Sequence, residues 1–288
     1  FGIDTITIRT QTSYIGPYRL PSSPTSFYLY TFTALLMLII LLFFVCHWYL
    51  AIFSQTFLQH RYASHAAFSM NKFWERFFYL IAYIGQGSSY VSPRVYAIMH
   101  RMHHAYTDTE KDPHSPLFDD NLFAMMWRSR NFTSGVFNNK IEIEERFLKN
   151  LPDWPALDRI AHNWMSRVGW IIFYITFYII FAPSAWWYLL IPIHIVMLPL
   201  HGAIINWYAH KYGAVNFKMD NTSKNLYPMD IFLMGEAYHN NHHKTPSAIN
   251  FGRRWYEFDP TYPIIRFLSL VKVIKVNKIN RNSNVELE

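Results

Sequence analysis

The sequence predicts an all-α integral membrane protein, in which transmembrane helices carry a cytoplasmic helical cap that holds a histidine-rich centre for two metal ions. Two observations lead to this. Two long stretches, Leu20 to Gln59 and Val168 to His210, contain no Asp, Glu, Lys or Arg, and apolar runs of that length indicate a bilayer rather than a soluble core. Eight histidines fall in three tight clusters: His60 and His65 (HxxxxH), His100, His103 and His104 (HxxHH), and His239, His242 and His243 (HxxHH again). Neutral imidazole is a strong transition-metal ligand, and eight of them exceed the needs of one four-coordinate ion.

No Gly/Ser linker, low-complexity tract or internal repeat divides the 288 residues. Residues 23–280 therefore read as one domain, between an N-terminal lead at 1–22 and a C-terminal tail at 281–288. The first charge-free stretch has no Gly or Pro after Pro24, so it predicts a span near 28–55 in a helix of about 50 Å, longer than a hydrocarbon core of about 30 Å. Its excess length carries the first cluster beyond the membrane. Segment 73–92 is apolar but short, with Glu75, Arg76, Gln86 and a Gly-Ser-Ser cluster, and predicts an interfacial or re-entrant helix. Ala182-Pro183-Ser184 breaks the second stretch into two antiparallel spans near 168–182 and 185–207. One span followed by a returning pair leaves all three clusters on the same side.

The net charge of +7 gathers beside the clusters and in the tail, at Arg253, Arg254, Arg266, Lys272, Lys275, Lys278 and Arg281. The positive-inside tendency makes that side cytoplasmic, and the same charge suits anionic headgroups, an acidic electron donor or a phosphorylated substrate carrier. No nucleic-acid motif accompanies it. Cys46 is the sole cysteine, which excludes an intramolecular disulfide and a thiolate-held iron–sulfur cluster.

On a helix the members of an HxxHH triplet stand at about 0°, 300° and 40°, so the three imidazoles share a face. The i, i+5 pair His60 and His65 would be offset by about 140° on a regular helix, which places the pair where the first helix ends or unwinds. Asn206 and His210 are i, i+4 neighbours at the end of the last span, so His210 can ligate while the Asn206 amide binds a metal-bound water. His47 and His194 lie inside spans, His162 is isolated, and His201 is two and a half turns from His210; all four read as structural. His114 follows the second cluster closely and suits an outer position beside it or toward the substrate.

These residues resemble the membrane fatty-acid desaturases, specifically the acyl-CoA (stearoyl-CoA-like) Δ9 group and its bacterial relatives, from about Gln59 to Leu270. His60-Arg61-Tyr62-Ala63-Ser64-His65 looks like the family's first box. His100-Arg101-Met102-His103-His104 with Asp112-Pro113-His114 looks like its second, Gly235 to His243 like its third, and Asn206 to His210 like its extra NxxxH. Trp255 to Thr261 is similar to its bacterial members. The resemblance implies a di-iron centre held by His60, His65, His100, His103, His104, His210, His239, His242 and His243, with a water on Asn206. It implies O₂ as co-substrate, a kinked tunnel for the acyl chain, a cis double bond as product and the bacterial inner membrane as location. No flavin, nicotinamide, haem or cluster motif is fused, so electrons are expected from a partner such as ferredoxin, rubredoxin or a b-type cytochrome.

One departure concerns the acyl carrier. Animal acyl-CoA enzymes carry an Arg-Asp pair just before the second box, where this chain has Ile98 and Met99; acyl-CoA stays the expected substrate, with acyl carrier protein and lipid-linked chains as the alternative carriers. A single span before the first box, where animal enzymes have two, implies an outside N-terminus. Two other functions fit the same histidines: a di-iron lipid hydroxylase, in which oxygen is transferred to carbon, and a non-enzymatic metal-binding membrane protein or transporter.

Overall fold

The computed structural model describes residues 24–277; the lead at 1–22 and the tail at 281–288 lie outside them. Helix α1 (Pro24–Phe53) runs without a break into a π-helical segment, Ser54–Ser64, so a continuous apolar helix spans Tyr28–Ser64. Along α1 the side chains of Leu35, Leu38, Leu41, Leu42 and Val45 are exposed, as suits a lipid-facing helix. The π segment is polar and buried, and its side chains bind the chain that follows. Gln59 Nε2 donates to the Val91 carbonyl at 2.6 Å and to Gln86 Oε1 at 3.2 Å, and Gln86 Nε2 donates to Ser54 Oγ at 3.1 Å.

Strand β1 (Phe68–Met70) leads to α2 (Lys72–Gln86), whose N-cap is Asn71, accepting from the Trp74 N–H at 3.1 Å. At about 1.5 Å per residue α2 is shorter than a bilayer core, and its exposed stripe of Phe73, Phe77, Leu80 and Ile84 is apolar. It packs against α1 through Gly85, where a Cβ would stand 2.8 Å from the Leu50 carbonyl oxygen. Helix α3 (Pro93–Tyr106) carries the second cluster and lies against the π segment. Arg101 ties the two together, donating to the Ser64 carbonyl at 2.8 Å and the Ala63 carbonyl at 2.9 Å. Helices α4 (Leu122–Phe137), α5 (Glu145–Leu148) and α6 (Pro155–His162) follow. Asp158 of α6 accepts from Tyr90 Oη and Ser92 Oγ, each at 2.7 Å, which fixes the start of α3.

Helix α7 (Trp164–Phe181) is the second candidate span. The return differs from the single span expected at 185–207, because its two arms, Ala185–Ile195 and Met197–Tyr208, meet at 71°. The arms contain α8 (Ile191–Ile195) and α9 (Met197–Ala203). Pro199 has no N–H to offer the Ile195 carbonyl, which breaks the helical ladder at that point. The freed groups are satisfied from the α2–α3 connection: Ser88 Oγ donates to the Ile195 carbonyl at 2.9 Å, and the Leu198 N–H donates to Ser89 Oγ at 3.1 Å. The Gly-Ser-Ser turn read as the end of an interfacial segment thus caps a bent span. Helix α10 (His239–Lys244) bears the third cluster, and α11 (Thr261–Leu270) is followed by β2 (Ile274–Val276), which pairs antiparallel with β1, Phe68 opposite Val276. A core of Phe57, Leu58, Phe68, Phe78, Tyr79 and Ile265 lies beneath this pair.

Candidate metal centre

The π segment resolves the awkward spacing of the first box. An i→i+5 ladder is wider than an α-helix and takes more residues per turn, and the His65 N–H donates to the His60 carbonyl at 3.2 Å. The two rings, offset by about 140° on an α-helix, are thereby brought toward one side, their centroids 5.2 Å apart.

The nine histidines gather into two neighbouring groups. His60, His65, His100, His104 and His242 form one, and His103, His210, His239 and His243 the other; within each, the ligand atoms lie within 4.8 Å of one another. Each HxxHH triplet is divided between the groups. On α3, His100 and His104 turn to the first and His103 to the second, whereas α10 sends His242 to the first and His239 and His243 to the second. The shared face expected of each triplet is real, and it straddles two sites.

Nε2 atoms converge in both groups. In the first, His60 and His242 are 2.9 Å apart, His65 and His100 2.9 Å, His100 and His104 3.0 Å, and His104 and His242 2.7 Å. In the second, His103 and His243 are 3.1 Å apart, His239 and His243 3.0 Å, and His210 and His239 2.9 Å. Metal–nitrogen bonds of about 2.1 Å place adjacent ligands at right angles about 3.0 Å apart. The far side of several rings is held by an acceptor. His60 Nδ1 faces Glu236 at 2.6 Å, His103 Nδ1 faces Asp112 at 2.9 Å, and His210 Nδ1 is 3.0 Å from Thr222 Oγ1 with Asp108 at 3.7 Å. A proton on Nδ1 donates outward and leaves Nε2 as a bare lone pair. Lone pairs aimed at one another repel unless a cation lies between them, so the donor set fits two transition-metal ions.

Arg61 anchors this outer layer. Fully buried, its guanidinium donates to Asp259 at 2.7 Å and Glu236 at 3.4 Å, contacts Thr56 Oγ1, and lies 3.7 Å over the Phe251 ring. Thr56 Oγ1 in turn donates to Glu236. Burial pushes the Glu236 carboxyl up, but His60 and Arg61 together hold it below the usual carboxylate value. Gly235, with φ of 96°, lets the chain turn against Asp259, whose Oδ1 is 2.4 Å from where a Cβ would stand. Arg128 secures the second box's loop, donating to the Ser115 carbonyl at 2.9 Å and to Asp119 at 2.6 Å.

Asn206 is placed on the π turn Ile204–Tyr208, where its Nδ2 donates to the Gly202 carbonyl at 2.9 Å. Among the described hydrogen bonds none joins it to the four-histidine group. His114 lies beside His103 with its ring tilted, centroids 4.5 Å apart, and its Nε2 is buried without a hydrogen-bond partner. His47, His162, His194 and His201 join neither group. His47 and His194 pair within the spans, Nδ1 to Nδ1 at 2.6 Å, with Tyr178 Oη 2.9 Å from His194. His162 accepts from the Ser92 N–H at 3.1 Å. Sequence reasoning missed the outer acceptors. Glu236 and Asp112 were visible as acids beside histidine boxes, whereas Asp108 and Thr222, 114 residues apart in the chain, left no signal.

Burial first, and crowding by neighbouring imidazoles second, hold His100, His104, His239, His242 and His243 well below the usual imidazole value of 6.5. The unfolded chain takes up protons below that value while the folded centre refuses them. Stability of the metal-free protein is therefore fully present above pH 6.5 and is lost on acidification, as the unfolded chain gains protons that the folded centre does not. Thermal midpoints in detergent should fall steadily as pH is lowered through this range, and a flat profile would show that the centre protonates freely.

A family model described as fatty acid desaturase matches residues 32–269. The Delta-9 acyl-lipid desaturase 1 of Arabidopsis thaliana is 28% identical over 216 residues, covering 74% of this chain and 66% of its own length. An sn-1 stearoyl-lipid 9-desaturase of a Synechocystis strain is 27% identical over 223 residues, covering 76% and 65%. An acyl-CoA 5-desaturase of Anemone leveillei is 27% identical over 235 residues, covering 78% and 68%. The chain thus spans 66% of the first relative's length.

Proposed function

The chain belongs to the fatty acid desaturase family, and from that premise we propose that it removes two hydrogens from a saturated acyl chain to leave a cis double bond at Δ9. The balance is one acyl chain, one O₂, two electrons and two protons giving the alkene and two waters. The observation that carries this reading is the pair of adjoining imidazole groups, five and four histidines, with their outer nitrogens held by acids. Two iron ions, when bound, supply the redox chemistry of O₂ and C–H cleavage. In this reading all nine histidines are ligands, and Asn206 completes the four-histidine site through a water.

The protein's own part is to hold and to exclude. Glu236 and Asp112 fix ring orientation and raise ligand basicity. Burial of His60, His103, His239 and His242 keeps bulk water from a reaction that must act on an unactivated chain. The substrate we favour is a lipid-linked chain, because Ile98 and Met99 are apolar where animal acyl-CoA enzymes carry Arg-Asp, and the Arabidopsis and Synechocystis relatives are named for lipid-linked acyl groups. Acyl-CoA is the second reading, favoured by the Anemone relative's name. The basic residues Arg266, Lys272 and Lys275 give the catalytic side a cytoplasmic orientation and suit an acidic electron-donor protein.

Expression in a desaturase-deficient host, followed by locating the double bond in each lipid class and in the acyl-CoA pool, tests the proposal. A monounsaturated product and about two irons per chain are expected. A product 16 mass units heavier (about one added oxygen) with no monounsaturated acid would mean a hydroxylase. Zinc transport without oxygen consumption would mean a transporter.

A further inference from the structure

Between the four-histidine group's His210 and the third box, the chain makes an excursion that no part of the chemistry uses. Tyr227, Pro228, Met229, Ile231 and Phe232 are all exposed, Phe232 at 69%, and the only charged side chain among them, Asp230, is turned fully inward. The backbone of this loop is built, not loose. Asp230 accepts from the N–H groups of Leu233 at 2.8 Å, Gly235 at 2.9 Å and Ala237 at 2.9 Å, and the Asp230 N–H donates to Tyr238 Oη at 2.9 Å. Trp48 of α1 donates its indole N–H to the Phe232 carbonyl at 2.9 Å. At the base, Leu233 and Met234 pack with Ile52 and Ile205.

This pinning fixes the depth of the loop. The exposed apolar face of α1 ends at Val45, and Trp48 is one turn further on, about 4.5 Å along the axis. The loop takes over as the outward surface where α1 ceases to be one. Helix α11 adjoins it, sharing Ile264 with the same cluster, and exposes Phe267, Leu270 and Val271 at i, i+3 and i+4. On the other side of α11, Ile265 and Leu268 pack with α2, whose own exposed stripe is apolar. Loop, α11 and α2 therefore form an apolar collar around the box I end of the first span, continuous with its lipid-facing surface and rimmed by the exposed basic side chains Arg76 and Arg266.

We propose that the loop Tyr227–Phe232 is a membrane anchor whose side chains lie among the acyl chains of the leaflet surrounding that end of α1. A contiguous apolar surface of this kind marks an interaction site, and its continuity with a lipid-facing helix, together with the absence of exposed charge on the loop, identifies the occupant as lipid. The inference is independent of the reaction the centre performs. It also places the third histidine cluster, which starts at His239 shortly after the anchor ends at Phe232, directly above hydrocarbon.

The single cysteine, Cys46, makes the test practicable. In a Cys46→Ser background, Phe232→Cys, Met229→Cys and the exposed loop control Lys140→Cys would each carry an environment-sensitive fluorophore in phosphatidylcholine vesicles. Variants are accepted only if they elute as single species with the parent's iron content. Fluorescence at 232 and 229 should be lost to doxyl-labelled acyl chains and spared by aqueous iodide, with the reverse at 140. Quenching by iodide at 232 and 229 would overturn the proposal. Shielding from both quenchers, relieved on dilution of the protein in the vesicles, would also overturn it, because a second copy or another protein would then be the occupant.

Discussion

His103→Ala is expected to abolish turnover and iron retention at the four-histidine group while leaving insertion into the membrane intact. His103 is fully buried, stands 3.1 Å from His243 through Nε2, and meets Asp112 through Nδ1. No other histidine of α3 belongs to that group. Truncation removes one of four neutral donors and leaves the buried Asp112 carboxylate with only the backbone N–H groups of Asp108 and His114. Asp112→Asn is the graded companion: the imidazole stays, its orientation and basicity weaken, and iron affinity should fall about 10- to 100-fold. Iron analysis of purified protein, with a fatty-acid profile of the host, reads both. Full activity in His103→Ala would remove this residue from the ligand set.

Arg61→Ala should be the most damaging change to the fold. The guanidinium is the only positive charge that faces both Glu236 and Asp259 among the described ion pairs, and its loss leaves Asp259 buried without an ionic partner and Glu236 with only His60 and Thr56. Breaking such a pair typically costs about 3–5 kcal/mol, and the stacking on Phe251 is lost with it. Arg61→Lys should rescue little, because an ammonium is a point charge that cannot fork to both acids. The readouts are the thermal midpoint in detergent and the iron content of the five-histidine group, since His60 depends on Glu236 for its orientation. A midpoint unchanged from the parent would show that the two acids are protonated or hydrated in the folded protein.

Much of this architecture is legible in the chain because it depends on local period and on solvent. A stretch without charge, such as Leu20 to Gln59, has few folded fates other than a span, and the i+3 and i+4 spacing of two histidine triplets fixes a face on any helix. The i, i+5 pair in the first box was legible only as a misfit, and the π segment Ser54–Ser64 is the form the misfit takes. What could not be read are the relations that exist only after packing. The bend at Val196 is signalled by Pro199, but its tolerance depends on Ser88 and Ser89 arriving from another helix. The partition of each triplet between two sites depends on the relative rotation of α3 and α10. The apolar loop at 227–232 has the composition of an ordinary turn; only the Trp48 hydrogen bond reveals its depth.

That partition has a thermodynamic consequence. Because α3 and α10 each present ligands to both groups, neither helix can rotate to suit one cation without altering the ring positions offered to the other. In the proposed two-ion reading, filling one site would order both helices, so a second ion would meet a scaffold already set and bind it more tightly. Linkage makes the effect mutual. In that reading the half-loaded protein, which would hold a lone redox ion with no neighbour to share its electrons, would be made scarce by the same interleaving that divides each triplet between the two groups.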